Sequence, residues 1–216
     1  MTGVLVLASR SPRRQVLLRL LVDVFTVDAV PVDESAPLAL PVPMAVQAIA
    51  RKKALAASRK HPGAWVLAAD TVAVRDERLV GKARDPVAER ATLADLAGRE
   101  HRVVTGLALA WDEEIVDDDA ATTWLRMDRL PRATVDAYVE SGAWQGKAGG
   151  YGIQDRVIAP HVRILRGAWS NVVGLPLAAT AALLRRNRLP CKDPPEEAWL
   201  QEHNPFDGPD RPPQRT

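Results

Sequence analysis

The sequence predicts an α/β protein with a mixed sheet and helices, and three observations carry that prediction. Short apolar runs of strand length, "VLVLA" at residues 4–8 and "VLAA" within residues 64–74, alternate with segments whose apolar residues recur at helical spacing. Helix starts are marked: Ser11 and Asp85 each place a capping side chain before a proline, Pro12 and Pro86, at the first helical position. Two long strand candidates, "HRVVTGLALAW" and "EIVDDDAATTWLRM", are neighbours in the chain. Their expected antiparallel pairing makes the sheet mixed.

The elements follow in order. After the strand at 4–8, Leu17, Leu18 and Leu21 share one face of a helix that begins at Pro12. A strand is expected over 25–30, and a helix over 43–59 with Val46, Ile49 and Ala50 on its apolar face. Residues 64–74 read as a buried strand and 85–96 as a helix. The two long strands come next, then a short helix over 134–140. The segment "VRILRGAWSNVVGLPLAATAALLRR" runs from a strand through a Gly-Leu-Pro start into a last helix. From residue 190 to 216 the chain is dense in proline and charge, which predicts a flexible tail in which "EEAWL" docks as one short turn. The expected division is therefore a folded domain over 1–189 and a tail over 190–216.

Composition narrows the function. A length of 216 residues suits one sizeable domain or two small lobes around a cleft. With 29 basic and 27 acidic side chains the net charge is only +2, so a dedicated nucleic-acid binder is not expected and any positive field is local. The single cysteine, Cys191, excludes an intrachain disulfide framework and a multi-cysteine zinc site, and points to a reducing, cytoplasmic setting. No apolar run has the length of a membrane-spanning helix, and no targeting peptide is read at the start. His61, His101, His161 and His203 lack metal-ligand spacing, and the six tryptophans form no stacking platform.

Several residues are candidates for chemistry. "SRSPRR" sets Arg13 and Arg14 in the first turn of a helix, against the positive end of its dipole. They are either solvated there or, with Ser9 and the backbone N–H groups, part of an anion site; a nucleic-acid contact is the third reading. Asp70 ends a run of small apolar residues, where an unpaired carboxylate is costly. It is either a structural acid that caps a turn with Thr71, or a metal ligand or proton acceptor. Glu34 in "PVDES" is a loop acid of the kind usually solvated. Lys52 and Lys53 lie on a helix, and Lys82 follows Gly81 on a turn facing a helix start. "GKAGGYGIQ" at 146–154 holds four glycines in seven residues without the P-loop or dinucleotide spacing. It is either a tight connection or a loop that approaches a base, with the Gln154 amide able to donate and accept.

Taken together, "LASRSPRR", "DES", "RKKA", "AADT", "GKARDP", "KAGGYGIQ" and "VVGLPL" resemble the Maf family of nucleoside triphosphate pyrophosphatases, in the family's order from about Val4 to Arg186. The resemblance implies a fold like that of the inosine triphosphate pyrophosphatases, with two lobes around a central cleft that holds the nucleotide. It assigns Ser9, Arg13 and Arg14 to phosphate binding, Glu34 and Asp70 to catalysis near a divalent metal (Mg²⁺ or Mn²⁺), and Lys53, Lys82 and Gln154 to substrate binding. Lys53 rather than Lys52 matches, because it precedes the alanine of the "KA" pair. The implied reaction cleaves a nucleoside triphosphate between its α- and β-phosphates. The loop "KAGGYGIQ" looks like the branch acting on dTTP and UTP, with Asp155 standing where glycine is usual. The same reaction on methylated GTP, and a nucleotide-sensing regulator of cell division without turnover, are the alternatives. The expected partner is the nucleoside triphosphate; the near-balanced charge and the absence of a long apolar run leave neither a nucleic-acid nor a membrane partner expected, and monomer and homodimer both stay open.

Overall fold

A computed structural model of the protein describes residues 3–35 and 40–207. The loop residues 36–39 that follow "DES" and the last nine residues of the expected tail lie outside the described residues. Seven strands form one mixed sheet: β1 (Leu5–Leu7), β2 (Thr26–Val27), β3 (Trp65–Arg75), β4 (Arg78–Val80), β5 (Glu100–Trp111), β6 (Glu114–Met127) and β7 (Val162–Arg166). Their order is β2-β1-β3-β5-β6-β7, with β4 pairing β3. β1 runs parallel to both β2 and β3, whereas β4 on β3 and β7 on β6 are antiparallel. The mixed α/β class is as the sequence predicts.

The helices are α1 (Pro12–Arg19), α2 (Val42–Ser58), α3 (Pro86–Leu96), α4 (Arg132–Glu140), α5 (Trp169–Val173), α6 (Leu177–Arg186) and α7 (Glu197–Glu202). Ser11 and Asp85 do cap α1 and α3, each accepting from the backbone N–H three residues on, and proline follows each cap. The strand expected over 25–30 is reduced to Thr26–Val27. β1, its partner, is three residues long, so only Val6↔Thr26 and Leu7↔Val27 find a register. Among the described residues no helix is long and apolar enough to cross a membrane.

The chain folds as two compact units. The first takes the chain up to Thr71 with Val104–Ala121 and Gly174–Glu196. One cluster of its core is built from small side chains, among them Val6, Ala8, Ala50, Ala54, Ala57, Val66, Ala68 and Ala108. Small residues let α2 lie hard against the sheet. A Cβ at Gly106 on β5 would stand 2.5 Å from the α2 backbone at Val46 and Gln47, so only glycine fits there.

The second unit takes Val72–Val103, Thr122–Val173 and the chain from Glu197 onward. Glu89, Leu93 and Leu96 form the buried face of α3. α7 buries Leu200, and the Glu197 carboxylate accepts from the Ser170 N–H (2.9 Å) and hydroxyl (2.6 Å) on α5. Phe206 lies against Trp169, with ring centroids 6.2 Å apart.

Candidate active site

In the first unit, β1 hands directly to α1 at the carboxyl end of a parallel strand pair, where open α/β sheets hold their ligands. The turn is tight, with Ser9 N–H donating to Leu7 O at 2.9 Å. The buried Ser9 hydroxyl oxygen accepts from Ser11 N–H at 3.3 Å and from Arg14 Nη1 at 3.2 Å. Arg14 is then gripped from two further sides: Nη2 donates to Thr71 Oγ1 at 3.0 Å and Nε to Gly174 O at 2.8 Å. Thr71 Oγ1 is in turn 2.9 Å from Thr105 Oγ1. Gly174 has φ +124°, a backbone conformation that only glycine adopts without strain. Burial lowers the pKa of Arg14; Asp70 and, less strongly, Glu34 oppose that shift, while Arg13 adds to it.

Asp70 follows the buried run of β3 and is only 7% exposed. Its Oδ1 accepts from the Lys53 ammonium at 2.6 Å, and the same ammonium lies 2.9 Å from Glu34 Oε1. Lys53 extends from the core-facing stripe of α2, between Ile49 and Ala50 below and Ala57 above, whereas Lys52 faces solvent. One cation thus holds two carboxylates from separate segments, a buried one and a half-exposed one. Ser9, Arg14, Glu34, Lys53 and Asp70 are tied into this unit by bonds or ion pairs, and Arg13 acts on Arg14 through its charge.

The remaining two candidates belong to the second unit. Lys82 is exposed on the connection between β4 and α3. Gln154 is nine-tenths buried at the end of the glycine loop. Its Nε2 donates to Asp155 Oδ1 at 3.2 Å, while its Oε1 is buried with no hydrogen-bond partner. Asp155 Oδ2 accepts from the Lys147 ammonium and from the Tyr138 hydroxyl (2.7 Å). Beneath the loop, Glu89 is fully buried and neither carboxylate oxygen has a partner; burial pushes its pKa up to about 8, against the pull of Lys147. Glycine is needed at two loop positions. A Cβ at Gly150 would sit 2.1 Å from Glu89 Oε2, and one at Gly152 would sit 2.4 Å from Gln154 Nε2.

Sequence reasoning named Thr71 and Asp155 without placing Thr71 on Arg14 or Asp155 on Gln154, and missed Thr105 and Gly174 in the first unit and Glu89, Tyr138 and Lys147 in the second. One signal was present for two charged residues: Lys53 and Glu89 each interrupt the apolar stripe of a helix. A charge on a core-facing position has to be paired or neutralised.

The first unit therefore defines a class: an α/β protein whose parallel strand ends gather basic side chains and two lysine-bridged carboxylates. Residues 4–187 match the family described as Maf-like protein, and the chain belongs to the Maf family. It is 48% identical over 185 residues to a dTTP/UTP pyrophosphatase of Paramagnetospirillum magneticum, covering 84% of this chain and 96% of that protein. A dTTP/UTP pyrophosphatase of Rhodospirillum rubrum is 45% identical over 188 residues, 85% of this chain and 87% of its own length. A third, from Myxococcus xanthus, is 42% identical over 189 residues, 86% and 93% of the two chains.

Proposed function

We propose that the protein is a nucleoside triphosphate pyrophosphatase that hydrolyses dTTP and UTP to the monophosphate and pyrophosphate. The reading draws its reaction from relatives that carry that name at 42–48% identity over most of both chains. The observation in the molecule that best supports it is Lys53 bridging Asp70 and Glu34 beside the Arg14 network.

In this reading Lys53 holds Asp70 Oδ1, and Asp70 Oδ2 takes the proton of the attacking water. The water oxygen bonds to the α-phosphorus as the bond to the α–β bridging oxygen breaks, and pyrophosphate departs. Arg13 and Arg14, with Lys53 and Lys82, stabilise the charge that grows on the leaving group. Ser9 and the α1 N-terminus orient the phosphates, and Gln154 contacts the base.

Glu34 and Asp70 also fit a divalent cation. They offer hard carboxylate oxygens that already share one positive charge, and Mg²⁺ commonly takes one or two carboxylates with substrate phosphates completing its shell. That ion, Mg²⁺ or Mn²⁺, would offset phosphate charge. A cytoplasmic setting belongs to the same proposal and fits Cys191 as a lone thiol.

Product analysis tests the proposal. With Mg²⁺ or Mn²⁺, dTTP and UTP should give monophosphate and pyrophosphate, and Asp70→Asn should stop it. The same products chiefly from methylated GTP would keep the reaction and replace the substrate. Tight triphosphate binding without products would favour a sensor.

A further inference from the structure

Gln154 has two chemically opposite ends, and which of them meets the base decides what base is accepted. The inference rests on the reading that Gln154 contacts the base. A carboxylate accepts hydrogen bonds and donates none, so the atom of Gln154 that faces Asp155 Oδ1 at 3.2 Å is Nε2. The remaining end, Oε1, is buried without a donor. Asp155 is itself immobilised, since its Oδ2 accepts from both Lys147 and the Tyr138 hydroxyl. Tyr138 is fixed in turn by the Gly152 N–H at 3.1 Å, and the Gln154 carbonyl accepts from Asn204 Nδ2 at 2.9 Å. Gly152 has no side chain to keep the amide and the carboxylate apart.

We propose that Asp155 is a positioning residue that holds the Gln154 amide with its oxygen toward the base, so that the site selects a pyrimidine carrying an N–H at ring position 3. Uracil and thymine present a donor there; cytosine presents a lone pair. An acceptor fixed opposite that position gains a hydrogen bond with the first two and meets lone-pair repulsion with the third. A buried acceptor without a donor is unfavourable, and the arriving N3–H satisfies it. Protein covers the oxygen in the structure, and its pairing with N3–H requires that cover to open as the base enters.

The test is the UTP:CTP ratio of kcat/KM, measured on the full chain with Mg²⁺ or Mn²⁺. Wild type prefers UTP; equal rates on the two nucleotides overturn the proposal. In Asp155→Asn the neighbouring side chain donates as well as accepts, the Gln154 amide turns over, and the ratio falls at least about tenfold, mainly through KM. In the paired exchange Gln154→Glu with Asp155→Asn, the amide now at 155 donates to the carboxylate now at 154. Its second oxygen still accepts, and the ratio returns to within about threefold of wild type. Gln154→Ala separates the layers of the argument. A ratio that falls in Gln154→Ala but not in Asp155→Asn overturns the role of Asp155 and keeps that of Gln154. A ratio unchanged in Gln154→Ala overturns both. A purely structural Asp155 would slow UTP and CTP alike and leave the ratio alone. Should Asp155→Asn fail to fold, the paired exchange, which keeps one carboxylate and one amide in the 154–155 pair and leaves the amide oxygen at 155 to Lys147, decides: a preserved ratio supports the proposal and a collapsed one overturns it.

Discussion

Asp70 and Glu89 are both buried carboxyl groups, and the protein treats them in opposite ways. Asp70, on a strand of the first unit, has an ammonium 2.6 Å away and Glu34 sharing it. Glu89, on a helix of the second unit, has no hydrogen-bond partner on either oxygen, and Lys147, whose charge it feels, pairs with Asp155. Burial without a partner favours the neutral form, which is why Glu89 is pushed up to about 8. The difference teaches how to sort buried acids. A paired acid is held in place by its cation and can do chemistry; an unpaired one fills space as a neutral carboxyl and makes the fold depend on pH.

The largest expected effect falls on the paired acid. Asp70→Asn removes the proton acceptor while keeping shape, so turnover should fall by about 10²–10⁴-fold, the usual range for a general base. Its thermal midpoint should stay near that of wild type, since the amide oxygen can still accept from Lys53. A variant that turns over at the wild-type rate would place Asp70 with Glu89 as a structural acid and erase the contrast.

The unpaired acid predicts a pH effect of definite sign. Glu89 is protonated in the folded protein up to about pH 8, but an ordinary glutamate loses its proton near 4.5. Between those values folding takes up a proton, so stability falls as pH rises and the contribution is gone above about 8. His101 works the other way. Burial lowers it to about 4 from 6.5, so its contribution is lost as pH falls through that window. The two slopes cancel between about pH 4.5 and 6.5, which leaves wild-type stability falling chiefly between about 6.5 and 8. Glu89→Gln removes that decline, and its melting temperature should rise from pH 4 to 6.5 and then stay level. Melts in a pH series check this; a variant that still loses stability from 6.5 to 8 would contradict the assignment.

Local chemistry explains what was legible in the sequence. Serine-proline and aspartate-proline pairs announced α1 and α3, and Gly-Leu-Pro announced α6, because caps and proline act within a few residues. The strand at 25–30 was overread, because strand length there depends on a three-residue partner distant in sequence. The β3–β4 hairpin was not read at all. Its turn, Asp76–Glu77, is in the left-handed region without the glycine or asparagine that usually marks such turns. For the site, the backbone loops were visible as motifs, but their partners were not. Gly174 meets Arg14 across 160 residues and Thr105 meets Thr71 across 34, and no local pattern encodes such contacts.

A steric test sharpens the contrast on the Glu89 side. Gly150→Ala puts a methyl group where Glu89 Oε2 lies and also forces alanine into φ +73°, so it should cost about 2 kcal/mol or more. Adding Glu89→Ala clears the clash and leaves only the backbone strain, about 1 kcal/mol. A double-mutant cycle by denaturant unfolding reads the coupling. Additive effects would mean that Gly150 is needed for its backbone alone and that the carboxyl beneath it is not tightly held.

The smallest effect serves as a control free of either acid. Each unit holds a two-residue turn in the left-handed region, Asp112–Glu113 joining β5 and β6, and Asp76–Glu77 joining β3 and β4. Glycine at the second turn position relieves the strain of φ +64° or +59° at the cost of a looser unfolded chain. Glu113→Gly should therefore stabilise by about 0.5 kcal/mol, a rise of one or two degrees at about 2–4 °C per kcal/mol. Its contact with Arg59, 3.4 Å long and exposed on both sides, contributes little against that. Glu77→Gly should gain less, because the Glu77 side chain also gives up a 2.6 Å ion pair with Arg102. Neither change touches Asp70 or Glu89, so turnover and the decline between pH 6.5 and 8 should both persist. A turn variant that altered either one would show that the two acids do not act separately.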